Sequence, residues 1–271
     1  MRRHNFSKGH GTRNDFVIID DQHGMQELTP DIVVALCDRR AGVGADGVLR
    51  VVRAQHMSDW DGDPDLWFMD YHNADGSVAE MCGNGLRVFA RHLVNEQLVP
   101  TGEFTVATRS GLRQVQVARG GLISTSLGHA VVSDGPLTVT HAGQSWPATR
   151  VDVGNPHAVV FVDDATRVGL NLHVAPTWDP AEEFPRGTNV EFVTVRAPGV
   201  LDMRVYERGS GETESCGTGV VASAASYRKQ SDHDGDVVVH VAGGELTVTF
   251  DGDEVWLTGP ALVYARGEFW W

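Results

Sequence analysis

The chain has 271 residues, 41% of them hydrophobic and 21% charged, which is enough to bury one large core or two medium ones. Its formal net charge of −14, from 22 basic and 36 acidic side chains, argues against a nucleic-acid partner. Apolar runs such as Ala158 to Val162 fall far short of the ~20 residues of a membrane-spanning helix, and three cysteines are too few for a disulfide framework.

Strand signals dominate the chain from its start. Phe16 to Ile19 and Gly47 to Val52 are short apolar runs, and Leu66 to Tyr71 follows the turn at Pro64. Between the first two, Thr29-Pro30-Asp31 reads as a helix start, with Pro at the first helical position after a Thr cap. After Cys82, the residues Leu86, Phe89, Ala90, Leu93 and Val94 recur at one helical face. Phe104 to Thr108 and Gln114 to Val117 alternate with period two, as half-buried strands do. The segment Ser124 to Ala148 carries little signal. Strands are expected at Ala158 to Val162, Val190 to Val195 and Leu201 to Tyr206. After Cys216, small residues almost all round predict a buried helix approached closely by its neighbours. Val237 to Val241 and Glu245 to Phe250 flank Ala242-Gly243-Gly244, a hairpin signal, and Val255 to Leu257 and Ala261 to Tyr264 close the series.

Two of these segments match. Glu80-Met81-Cys82-Gly83-Asn84-Gly85 and Glu214-Ser215-Cys216-Gly217-Thr218-Gly219 each place a cysteine before Gly-x-Gly at the start of a predicted helix. The repeat of strands, a Cys-Gly-x-Gly helix and more strands predicts an α+β fold of two similar domains. Each is expected to be a curved antiparallel or mixed β layer around a central helix. The expected boundary lies near Arg119-Gly120-Gly121, giving 1–118 and 119–260, with 261–271 returning to the first half and the active site in the cleft between them.

A helix N-terminus lowers the pKa of a thiol, and its free N–H groups hold a carboxylate. Gly83, Asn84, Gly217 and Thr218 can therefore supply donors to an amino acid's α-carboxylate. One thiolate removes the α-hydrogen while the opposite thiol protonates the other face, which inverts a stereocentre with no cofactor. Glu207 and His157 are candidate proton partners for the thiols. Cys37 lacks a glycine context and is expected to pack in the core. No Cys-x-x-Cys or His-x-x-x-His spacing is present, so no metal is expected.

The motifs also carry a resemblance. Asn73 to Arg87, containing Ala79-Glu80-Met81-Cys82-Gly83-Asn84-Gly85, resembles the first signature of the diaminopimelate epimerase family. Glu207 to Gly219 is similar to its second. Lys8 to Phe16, Cys37 to Gly47, Gly154-Asn155-Pro156-His157-Ala158 and Gly187 to Phe192 resemble its remaining blocks. The resemblance implies a pyridoxal-independent epimerase interconverting LL- and meso-diaminopimelate on the route to lysine and peptidoglycan, with Cys82 and Cys216 as the acid–base thiols. It implies that Gly83-Asn84 and Gly217-Thr218 hold the reacting carboxylate, and that Glu207 and the Arg208 backbone bind the reacting amine. Asn14, Asn73, Asn155, Asn189 and the Arg208 side chain would hold the distal end, and His157 and Glu207 would support the thiols. A homodimer is implied by the same analogy.

Departures are few. Gly47 stands where the family often has Gln, and Val88 where it often has a third cysteine. The competing readings are a proline or hydroxyproline racemase, a phenazine-synthesis relative using a carboxylate, a non-catalytic amino-acid-binding protein and a thiol–disulfide exchanger. The asparagine set argues against the first and the intact thiols against the second and third. The separation of the two cysteines argues against the last. No apolar stretch follows Met1-Arg2-Arg3, so no secretory leader is expected, and a reducing cytoplasmic setting suits the free thiols.

Overall fold

Both Cys-Gly-x-Gly turns open helices. The chain, described here over residues 3–270 of a computed structural model, carries four α-helices: α1 (Pro30–Cys37), α2 (Gly83–Asn95), α3 (Asp164–Gly169) and α4 (Gly217–Ser231). It divides into two units, one running to Thr125 and resuming at Gly259, the other spanning Ser126–Thr258. The fold is α+β, and strands dominate both units.

In the first unit, strand Asn14–Asp20 pairs parallel with Gly47–Arg53, which pairs antiparallel with Trp67–Asn73. The chain then enters α2, returns parallel to Trp67–Asn73 as Gly102–Thr108, and turns back as Gly111–Val117. Strand Arg3–Gly11 joins Asn14–Asp20 on one side and Leu262–Trp270 on the other. Helix α2 seats Leu86, Phe89, Ala90 and Leu93, all 0% exposed, against Phe16, Leu49, Met69 and Val115. Each such Leu or Phe contributes roughly 1.5–3 kcal/mol of hydrophobic burial.

The second unit repeats this pairing order. Pro156–Phe161 pairs parallel with Asn189–Ala197, and that strand antiparallel with Val200–Glu207. After α4 the chain returns parallel to Val200–Glu207 as Val237–Val241 and turns back as Gly244–Asp251. In α4 Ala222, Ser223, Ala224, Ala225 and Ser226 are all buried, as the run of small residues predicted. Their short side chains let strands approach from several sides, and Ser223 returns its hydroxyl to Gly219 O at 2.8 Å.

Helix α1 starts as expected, with Thr29 Oγ1 accepting from the Ile32 N–H and Pro30 at its first position. Residues Ala118 to Leu122 form a hairpin turn joining Gly111–Val117 to Ile123–Ser126, and Gly121 there has φ +92°. The glycine pair thus marks a turn within a ladder. Helix α3 has no counterpart among the expected elements. It is six residues long, buries none of them, and is held by the Asp163 carboxylate accepting from Thr166 N at 2.8 Å. Among the described residues no helix is long and apolar enough to cross a membrane.

Candidate active site

Each cysteine is the N-cap of its helix, a position usually held by Ser, Thr, Asp or Asn. The Cys82 sulfur accepts from Gly85 N–H at 3.3 Å, and the Cys216 sulfur from Gly219 N–H at 3.4 Å. Extended backbone at the cap and a glycine at the third helical position bring sulfur and N–H together in both turns. Negative charge on either sulfur therefore lies on the positive end of a helix dipole.

In the first unit the Cys82 thiol donates to Asn14 Oδ1 at 3.8 Å, and Asn84 Nδ2 donates to the same oxygen at 3.2 Å. Asn14 Nδ2 is held by Asp46 at 2.8 Å, which fixes the amide with its oxygen toward the cysteine turn. Asp46 is in turn bound by Arg39 at 2.6 Å. Arg87, 0% exposed, donates to Asn84 Oδ1 at 2.7 Å and to Gly83 O at 3.3 Å. Burial pulls its guanidinium down to about 10, while the neighbouring Cys82 charge works the other way. Arg87 thus remains a buried cation at neutral pH. Asn73 donates to Ser77, from its side-chain amide at 3.0 Å and its backbone N–H at 2.9 Å, and its backbone carbonyl accepts from Gly76 N–H at 2.9 Å.

In the second unit most of the expected residues meet. Asn155 Nδ2 donates to Thr218 Oγ1 at 3.3 Å, and Thr218 Oγ1 lies 3.6 Å from the Cys216 sulfur. His157 Nε2 lies 3.1 Å from Asn155 Oδ1. Glu207 is hydrogen-bonded to the Cys216 thiol and accepts from Thr213 Oγ1. Asn189 Oδ1 accepts from the Arg208 backbone N–H at 2.9 Å, one residue from Glu207. The Arg208 guanidinium donates to Arg186 O at 3.3 Å.

The charges around Cys216 set its proton. Burial raises the pKa of this thiol well above its ordinary value, and the Glu207 and Glu191 carboxylates push it in the same direction. Burial also raises Glu207, against hydrogen bonds from Thr213 and Cys216. Burial and the two carboxylates therefore favour the neutral thiol at Cys216, which is hydrogen-bonded to Glu207.

Against known proteins, a sequence profile described as Diaminopimelate epimerase matches residues 6–133 and 149–264. The chain belongs to the diaminopimelate epimerase family. It is 47% identical over 274 residues to the diaminopimelate epimerase of Streptomyces coelicolor, covering 97% of this chain and 94% of that one. To that of Thermobifida fusca it is 48% identical over 270 residues, covering 97% of each. As a member of this family it is an amino-acid epimerase. The fold is similar to a PhzF-family phenazine biosynthesis protein of Bacillus anthracis (TM-score 0.74, 18% identity, all of both chains). It is also similar to a hydroxyproline epimerase from Agrobacterium vitis (TM-score 0.68, 15% identity, 98% of this chain and 92% of that one).

Within the family pattern, Gly47 is matched to its surroundings. A Cβ there would lie 2.6 Å from His72 O and 2.7 Å from Tyr71 Cε2, so a longer side chain requires this strand pair to shift. Cys37 packs at 5% exposed in the cluster around Val33 and Leu36, and burial pushes its thiol up to about 11. Among the described residues no group of three or more His, Cys, Asp or Glu could hold a metal ion.

Four participants lay outside the sequence reading: Asp46, Arg87, Glu191 and Thr213. All fall inside the motif blocks, yet only their partners reveal them. Glu191 carried a faint signal, since Asn189 and Glu191 put two polar residues on one face of a strand whose first five residues are otherwise apolar.

Proposed function

We propose that this epimerase interconverts LL- and meso-diaminopimelate by proton transfer between two thiols, on the way to lysine and peptidoglycan precursors. The observation that carries the reading is the matched pair of helix N-caps. Each is a cysteine whose sulfur accepts a backbone N–H, in a Cys-Gly-x-Gly turn rich in further donors. The 47% identity to a diaminopimelate epimerase over nearly the full chain supports the substrate.

In this reading one cysteine acts as thiolate and takes the α-proton. The electron pair is delocalised into the carboxylate, whose growing charge is stabilised by the N–H groups around Gly83-Asn84 and Gly217-Thr218. The other cysteine delivers its proton to the opposite face. The two sulfurs end with their protonation states exchanged, so the resting state must be restored by proton transfer through nearby groups. Glu207, hydrogen-bonded to Cys216, is the group for that thiol, and His157 is a second proton carrier. Glu207 and the Arg208 backbone would hold the reacting amine. Asn14, Asn73, Asn155, Asn189 and the Arg208 guanidinium would clamp the distal ammonium and carboxylate, because asparagine offers both a donor and an acceptor. The chemistry needs no cofactor and no metal. Free thiols suit a reducing cytoplasm; the net charge of −14 disfavours nucleic acid. The family analogy adds a homodimer, which sedimentation at micromolar concentration tests directly.

The experiment is incubation with LL-diaminopimelate in D2O under reducing conditions, following deuterium at the α-carbon and the appearance of the meso isomer, with proline in parallel. Deuterium entry with diaminopimelate alone is expected. Absence of exchange with diaminopimelate, or equal exchange with proline, would overturn the assignment.

A further inference from the structure

Beneath the Cys216 turn lies a carboxylate that the proposed chemistry does not use. Glu191 is 0% exposed, and its Oε1 sits 2.7 Å from Nδ1 of His157, itself 0% exposed. Its second oxygen, Oε2, is buried with no hydrogen-bond partner among the described residues. As a stabilising device this is poor. Taking a carboxylate out of water costs several kcal/mol, and here only part of its acceptor capacity is used.

The first unit shows that the fold does not require a charge at this place. Below the second glycine of each turn stands one strand residue. A Cβ at Gly85 would lie 3.3 Å from Leu49, and a Cβ at Gly219 would lie 2.7 Å from Glu191 Oε1. Leu49 is in register with Ile18, and Glu191 with Val159, on the parallel neighbouring strand. Two residues back along that neighbour stand Phe16 in the first unit and His157 in the second. The first unit thus fills the two places with Phe16 and Leu49, both 0% exposed in its apolar core. The second fills them with an imidazole and a carboxylate. The same architecture holds either pair.

From Glu191 a chain of contacts runs to the thiol. Glu191 Oε1 faces His157 Nδ1 at 2.7 Å, and His157 Nε2 faces Asn155 Oδ1 at 3.1 Å. Asn155 Nδ2 donates to Thr218 Oγ1 at 3.3 Å, which lies 3.6 Å from Cys216 Sγ. An amide does not pass protons along, so the chain orients rather than conducts. Because Glu191 engages Nδ1, only Nε2 is turned toward the cysteine turn.

We infer that Glu191 is a positioning residue for His157: its carboxylate accepts Nδ1–H, fixes the ring, and so aims Nε2–H at the Asn155 oxygen and the cysteine turn for epimerisation. The inference rests on the proposed reading in which His157 serves the thiols. It also gives the second glycine of this turn a purpose, since a methyl group there would press on the carboxylate that sets the ring.

The test starts with the wild-type protein. With 15N-labelled histidine, the chemical shifts of the His157 ring are expected to show a proton on Nδ1, held by Glu191, alongside the Nε2–H that the Asn155 oxygen accepts. In Glu191→Met, which removes the acceptor, the Nδ1 proton is expected to be lost, leaving the ring protonated on Nε2 alone. The kcat of this variant should fall at least ~100-fold with KM within about threefold. Glu191→Gln, which keeps an acceptor for Nδ1–H, should lose less, about 10-fold. A folded Glu191→Met enzyme with kcat within about threefold of wild type, or a wild-type ring protonated on Nε2 alone, overturns the inference. His157→Gln separates the two levels. If that variant turns over fully, His157 has no role in the reaction and the reading beneath the inference fails. If it is inactive while Glu191→Met is active, only the assignment of Glu191 fails.

Discussion

Replacing Gly219 with alanine probes how tightly the Cys216 turn is built around Glu191. The new methyl would stand 2.7 Å from Glu191 Oε1 and 3.3 Å from the Cβ and Sγ of Cys216. The carboxylate cannot retreat easily, because it and His157 are both 0% exposed and joined at 2.7 Å. Overpacking of this kind costs about 1–3 kcal/mol, against a gain of up to about 1 kcal/mol from glycine to alanine in a helix. With the rigid pair placing the cost in the upper half of that range, at about 2–3 kcal/mol, the net expectation is a loss of about 1–2 kcal/mol. At roughly 2–4 °C per kcal/mol for a chain of this size, Tm falls by about 2–8 °C. The matched control is Gly85→Ala, whose methyl meets the terminal Cδ2 of Leu49 at 3.3 Å, a group that can swing aside. That variant should lie within about 1 kcal/mol of wild type. Thermal and urea unfolding followed by circular dichroism compare the two. If Gly219→Ala proves as stable as Gly85→Ala, the view that Glu191 is rigidly held against this glycine is wrong.

Alanine at Cys82 or Cys216 should abolish turnover, measured as conversion of LL- to meso-diaminopimelate, and full activity in either variant contradicts the two-thiol scheme. Glu207→Gln should raise the rate at which iodoacetamide labels Cys216 at a fixed neutral pH, read by mass spectrometry, because it removes a charge that pushes this thiol up; an unchanged or slower rate counts against that cause. The same variant should be more stable than wild type at neutral pH. Burial raises the Glu207 carboxyl, so its ionisation opposes folding above the ordinary carboxylate range, and the gain should vanish as pH falls toward that range. Asp15 behaves in the opposite way. Burial raises it, but hydrogen bonds and charge from Arg39 and Lys8 prevail and hold it at about 2. Asp15→Asn should therefore cost about 1–2 kcal/mol at pH 7, allowing for partial exposure, with the difference from wild type shrinking between about pH 4 and pH 2 in acid unfolding.

Much of this protein was legible in the order of its residues. The two Cys-Gly-x-Gly turns, the Thr29-Pro30 helix start, the apolar face of α2 and the small-residue character of α4 are local patterns, set by backbone preference and side-chain period. The duplication of the turn implied two similar units. Long-range pairing was legible only in outline: residues 261–271 were expected to return to the first half, but nothing in either segment names Arg3–Gly11 as the strand that Leu262–Trp270 joins. Nor does a sequence say when a charged residue will be buried. Arg87 stands outside the apolar series Leu86, Phe89, Ala90, Leu93 and Val94, yet it is 0% exposed, with the turn carrying Thr12 and the amide of Asn84 closing around it. Glu191 shows in the sequence only as a second polar residue on the Asn189 face, and its role emerges once Gly219 and His157 are placed against it. Periodicity acts over a few residues and predicts which face turns inward. Which groups meet there, and what they do to one another's protons, depends on neighbours that only the folded chain supplies.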